Sequence, residues 1–156
     1  MRRIKKYLLL LSSGALLLAG CSGSHEATSR QELEREFQTE FGFSPSTNIE
    51  LRCKIVQVGD TWGKWMRFTY DSSTIQRIIG AGFTNASSTE LNNPSQLWSQ
   101  ELNEHNPNAP GWWQTPSNSL VRVYYKQGNQ RDNPWFTYLW VDDINKAVYV
   151  KFAAWR

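Results

Sequence analysis

Few side chains in this sequence combine in patterns that do chemistry. Its histidines are His25 and His105, and its cysteines are Cys21 and Cys53. No pair among them has the spacing of a structural zinc site, which takes four N or S ligands. Asp142 and Asp143 are adjacent and could touch a cation, but between two strand-like runs such a pair forms a turn. Glu101 and Glu104, with His105 beside them, are the carboxylates nearest an aromatic loop. Glycoside hydrolysis would need two carboxyls about 5 or about 7–9 Å apart across a cleft, whereas a short polar helix bearing Glu, Glu and His reads as exposed. No nucleophile elbow and no phosphate-binding glycine loop occurs. The expectation is a protein without enzyme activity, metal or cofactor, with a cell-wall hydrolase as the remote alternative.

Aromatic residues offer more. Eight tryptophans occur, at 62, 65, 98, 112, 113, 135, 140 and 155. "NAPGWWQTP" (108–116) sets Trp112 and Trp113 in a Pro- and Gly-marked loop, where large apolar side chains are out of place. Two readings stay open. The rings pack back onto the domain, as large aromatics in small cores do, or they wait for a ligand, with an indole face on a sugar ring and its N–H on a hydroxyl. Adjacent residues in an extended segment point opposite ways. One ring should therefore dock while its neighbour stays partly exposed, making Trp112 and Trp113 the candidate ligand-binding residues.

The N-terminus bears on location. "MRRIKKYLLLLSSGALLLAGC" has a basic start, an apolar run over residues 7–18 and a small-residue exit, the layout of a secretory signal. The run is short of the roughly 20 residues that span a bilayer. Leu18-Ala19-Gly20-Cys21 resembles the lipobox of bacterial lipoprotein precursors. That resemblance implies cleavage between Gly20 and Cys21, a diacylglycerol on the Cys21 thiol and an acylated amine. Removal of residues 1–20 from the 156 leaves a mature chain of 136. Two or three acyl chains make a stable anchor, each buried methylene contributing about 0.8 kcal/mol, so the membrane is the first expected partner. In lipoprotein sorting of the enteric type, Asp after the lipidated cysteine retains a protein in the inner membrane. Ser22 stands there, implying the periplasmic face of the outer membrane in a cell that has one.

Without the leader the charge balance changes. Of 17 Lys and Arg, four (Arg2, Arg3, Lys5, Lys6) lie in it, leaving 13 against 14 Asp and Glu, a side-chain net of −1. Nucleic acid is therefore not an expected partner. Cys53 is left without an intramolecular partner. It reads as a small buried hydrophobe on a strand, with a reactive thiol or pairing between chains as the alternatives.

The elements that must position these residues follow from periodicity. Residues 21–28 read as the lipidated cysteine and a polar tether with a solvated His25, and residues 29–156 as one domain. Ser29 and Glu32 have capping-box spacing. Leu33, Phe37 and Phe41 make a helical stripe, Glu34, Glu36 and Glu40 staying in water, and Gly42 is a stop. "NIELRCKIVQV" alternates as a strand, "GDTWGK" reads as a turn and "WMRFTY" as the returning strand. "DSSTIQRIIGAGF" is a helix capped by Ser72 or Ser73, and "NPSQLWSQELNEHN" a short third one. Three strands then follow, "SLVRVYYK", "PWFTYLWV" and "AVYVKFAAW", with "DDINK" a tight turn before the last. The middle one is apolar on both faces and so central. The expected fold is α+β: an antiparallel sheet of about five strands, a hairpin plus a three-strand meander, with two or three short helices on one face. The other face stays partly open, since Arg52, Lys54, Arg67 and Lys151 alternate outward.

Residues 60–80 (DTWGKWMRFTYDSSTIQRIIG), 110–116 (PGWWQTP) and 138–152 (YLWVDDINKAVYVKF) resemble small bacterial lipoproteins of unknown function. The resemblance implies fold and location and transfers no catalytic residue. The expected role is that of a lipid-anchored envelope protein with a structural or interaction function. The alternatives are a glycan- or peptidoglycan-binding module using surface tryptophan, and an envelope inhibitor or immunity lipoprotein acting on a toxin or cell-wall hydrolase.

Overall fold

The computed structural model describes residues 23–58, 61–86, 109–113, 121–130 and 133–155. The leader, Gly20, Cys21, and the expected third helix with Glu101, Glu104 and His105 lie outside them.

Helix α1 (Arg30–Phe41) starts where its cap demands: the Ser29 hydroxyl accepts the Glu32 N–H at 3.2 Å. The reciprocal half of a capping box is absent. Glu32 reaches past Ser29 to accept the Thr28 N–H at 3.3 Å and to meet His25 Nε2 at 2.6 Å. Gly42, at φ 77°, closes the helix by donating to the Gln38 carbonyl at 2.8 Å, a left-handed conformation that glycine adopts without strain. Helix α2 (Ser72–Gly80) is capped by Asp71 rather than by Ser72 or Ser73. The Asp71 carboxylate accepts the Thr74 N–H at 2.8 Å and the Ser73 hydroxyl at 2.7 Å, because both serines already lie inside the first turn.

Seven strands are described: β1 (Gly23–Glu26), β2 (Leu51–Val58), β3 (Thr61–Thr69), β4 (Thr84–Asn85), β5 (Val121–Gln130), β6 (Asn133–Asp142) and β7 (Ala147–Trp155). They form one antiparallel sheet in the order β1-β2-β3-β7-β6-β5-β4. The α+β class is as expected, but the count of about five strands is too low. The two additional strands, β1 and β4, lie at the sheet edges. β1 also corrects the tether over residues 21–28, since Gly23–Glu26 pairs with β2 in register from Gly23↔Gln57 to Glu26↔Lys54. Its sequence, GSHE, carries no apolar alternation; backbone pairing with β2 and the polar contacts of His25 and Glu26 hold it. Most of "GDTWGK" is strand as well, because β3 begins at Thr61.

Both helices pack on one face. Phe37, Phe41, Ile75 and Ile78 meet Cys53, Met66, Phe68, Leu139 and Val148 in one core cluster. The opposite face buries Trp65, Val123, Trp140 and Tyr149 against Trp113. β6 therefore contributes to both cores, as its two apolar faces predict. Cys53 is 1 % exposed and free, and burial pushes its thiol up to about 12, so it packs as a hydrophobe.

Asp142 and Asp143 form the β6–β7 turn. Asp142, fully buried, accepts the backbone N–H groups of Ile144 at 3.1 Å and Asn145 at 2.9 Å and the Asn145 side-chain amide at 2.7 Å. Asp143 takes both ends of the Arg122 guanidinium, at 2.7 and 2.9 Å, and that contact holds its carboxyl below the usual carboxylate range. Asp142→Ala removes the acceptor of three turn hydrogen bonds and should lower the unfolding free energy by about 1–2 kcal/mol. Urea unfolding of the variant measures this, and a loss under about 0.5 kcal/mol would contradict the assignment.

Candidate functional site

On the face opposite α1 and α2, strand register lines up Arg52 on β2, Arg67 on β3, Tyr149 on β7, Trp140 on β6 and Val123 on β5. Residues 109–113 pack against this row. The Trp113 N–H donates to the Pro110 carbonyl at 2.8 Å, closing a turn. Trp113, 4 % exposed, sets its ring edge-on to Tyr149 (5.5 Å between centroids, 86°) and to Trp140 (6.5 Å, 89°). Its indole N–H has no hydrogen-bond partner among the described residues. Trp112 is half-buried, and its indole N–H donates to Glu26 Oε1 on β1 at 2.6 Å. One ring docks and its neighbour stays partly exposed, as expected, although a turn rather than an extended run divides them.

Between Trp112 and the sheet lies a groove of about 520 Å³, open to solvent and lined by Arg52, Arg67, Gly111, Trp112 and Tyr149. The Arg67 guanidinium stands 5.6 Å from the Tyr149 ring centroid, in cation–π range. Arg52 and Arg67 are directly opposite each other on neighbouring strands. Among the described residues the Lys and Arg ion pairs involve Arg30, Arg35, Lys64 and Arg122, and neither groove arginine takes part. Like charges directly opposite on a sheet are destabilising. The groove thus combines an aromatic wall with an uncompensated pair of cations. Sequence alternation marks both arginines as outward-facing; only the β2–β3 register makes them neighbours.

A second charged cluster lies on the helix-covered face and corrects the expectation that Glu36 and Glu40 stay in water. Lys64, 2 % exposed, places Nζ 3.1 Å from Glu36 Oε2 and 3.7 Å from Glu40 Oε2, and Glu40 Oε1 accepts the Thr137 hydroxyl at 2.7 Å. Glu34 alone behaves as expected, pairing with Arg30 at the surface at 2.6 Å. The i, i+4 spacing puts Glu36 and Glu40 on one side of α1, above an inward-facing lysine whose charge burial makes costly unless paired. Lys64 shares strand parity with Met66 and Phe68, the one sequence signal of its burial. A ligand would reach this cluster only by displacing α1, so it is a packing device. Burial, outweighing Lys64, raises the Glu40 carboxyl above its ordinary value of 4.5.

No protein-family model, curated protein or solved structure matches the chain. Among the described residues no helix is long and apolar enough to cross a membrane, and no group of three His, Cys, Asp or Glu is placed to hold a metal.

The raised Glu40 carboxyl sets a pH dependence. The folded chain holds a proton there that the unfolded chain releases. This contribution to stability is complete below pH 4.5 and is lost as pH rises through the folded value. Glu40→Gln should therefore flatten the decline in stability above pH 4.5, measured as urea midpoints from pH 4 to 8. A variant with the slope of the parent chain would refute the assignment.

Proposed function

We propose that the protein is a non-enzymatic, lipid-anchored protein of the cell envelope that holds cell-wall glycan in the groove between Trp112 and the Arg52–Arg67–Tyr149 row. The observation that carries this reading is a half-exposed tryptophan lining an open groove, its indole fixed at the N–H and its wall continued by Tyr149. Saccharide recognition uses such rings, which meet apolar sugar faces while polar neighbours take the hydroxyls.

The anchor is Cys21, after cleavage of residues 1–20, and Ser22 favours the outer membrane. With β1 starting at Gly23, one residue separates the lipidated cysteine from the sheet. A residue spans at most about 3.6 Å, so the domain rests against the membrane surface.

Two measurements test the proposal. Cys21→Ser should abolish incorporation of labelled fatty acid into the protein; a parent chain that takes up no label would argue against the anchor. In detergent, soluble peptidoglycan fragments should shield Trp112 from acrylamide, and Trp112→Ala should weaken their binding roughly tenfold. If no fragment shields the ring, the glycan reading fails.

A further inference from the structure

We infer that the groove selects an anion: its ligand is an acidic sugar whose carboxylate lies between the Arg52 and Arg67 guanidinium groups while its ring lies against Trp112. This inference rests on the glycan reading and adds the charge of the ligand to it.

The two arginines are the starting point. They face each other across β2 and β3 on the side opposite α1 and α2. Arg67 is braced by the Tyr149 ring at 5.6 Å. Among the described residues, the acidic groups nearest them on this face are Glu26 and Glu50. Glu26 sits opposite Lys54 on β2, and its Oε1 already accepts the Trp112 indole N–H at 2.6 Å. Glu50 precedes Arg52 by two residues and makes no ion pair with it, its backbone N–H being held by the Thr69 hydroxyl at 3.1 Å. Lys54, two residues further along β2, adds another positive charge to the same side. Some cations of the fold are answered by carboxylates: Lys64 has Glu36 and Glu40, Arg30 has Glu34, and Arg122 has Asp143 at both ends. Arg52 and Arg67 share the lack of an ion pair with Lys54, Arg77, Lys126 and Lys146 among the described residues, but they are the two that stand directly opposite each other and line the groove.

The geometry favours a carboxylate. A guanidinium presents a planar fork of N–H donors that matches a carboxylate two bonds at a time. Two such forks on adjacent strands, with about 5 Å between their Cβ atoms, can share one carboxylate and relieve their own repulsion. The aromatic wall adds a planar apolar surface a few ångströms away, so charge and ring are read together. An amino sugar with a free lactyl carboxylate, as cell-wall glycan carries where its stem peptide has been removed, has both features. A neutral amino-sugar chain carries only the second.

The test uses the full chain in detergent and isothermal titration calorimetry. Three probes are compared: the disaccharide of N-acetylglucosamine and N-acetylmuramic acid, the same disaccharide with its lactyl group converted to the uncharged amide, and N,N′-diacetylchitobiose. The acidic disaccharide should bind about tenfold to a hundredfold more tightly than its amide. Arg52→Gln and Arg67→Gln should each abolish that preference, bringing the affinity for the acidic disaccharide down to that for its amide. Arg67→Lys, which keeps the charge without the fork, should recover part of the preference. Removing one arginine relieves like-charge repulsion, so urea midpoints of the Gln variants should equal or exceed that of the parent chain, separating lost binding from lost folding. Equal binding of acid and amide by the parent chain would overturn the inference and leave the glycan reading standing. Arg-dependent binding of lactate or inorganic phosphate, added as further probes, with no binding of any disaccharide would overturn the glycan reading and with it the acidic sugar. Binding of none of these would overturn both.

Discussion

The pairing of β3 with β7 is the contact on which the rest of the molecule depends. It runs through nine residue pairs, from Thr61↔Trp155 to Thr69↔Ala147, and joins a hairpin from the first half of the chain to a meander from its end. Once this register is set, the two-residue side-chain period commits every residue of both strands to a face. A slip of one residue on β3 would turn Phe68 and Met66 outward and drive Arg67 beneath the helices. The hydrophobic core thus pins the register, and the register in turn places Arg67 between Arg52 and Tyr149. Site and core are two faces of one alignment.

Those faces solve the same electrostatic problem differently. Lys64 points into the helix-covered side, where burial makes an unpaired charge untenable, and α1 brings two carboxylates to it. Arg52 and Arg67 point to the open side, where water lowers the penalty and, among the described residues, no carboxylate pairs with them. The second face is closed at its centre by Trp113, whose ring bridges Tyr149 and Trp140. Solvent reaches the sheet beside it. A groove results because one aromatic staple covers less area than a helix.

Local pattern carried much of this architecture. The Ser29 start and Gly42 stop of α1, the alternation of β2 and β3, the two-faced apolar run of β6 and the Asp142–Asp143 turn are each decided by residues within a few positions of one another. What escaped was decided at a distance. GSHE has no apolar periodicity, so nothing marks β1 as a strand before β2 offers it an edge. Glu36 and Glu40 read as a solvated face until Lys64, on another element, turns inward beneath them. Trp112 and Trp113 were divisible into docked and exposed from adjacency, but Glu26 as the partner of the Trp112 indole lies 86 residues away. The groove is least legible of all, because outward-facing charges are ordinary and only register makes two of them neighbours.

The Glu26–Trp112 hydrogen bond ties these features together. An indole ring attached to a loop loses rotamer freedom when it stacks on a ligand, and that entropy weakens binding unless the ring is already held. Glu26 holds it by accepting the indole N–H at 2.6 Å. Glu26 belongs to β1, which is attached to the sheet through β2 by four residue pairs. The wall of the groove therefore rests on an edge strand. That strand begins two residues after Cys21, the proposed point of lipidation. Anchor and binding surface share one short piece of chain, so a strand that sequence alone reads as a tether becomes the support of the site.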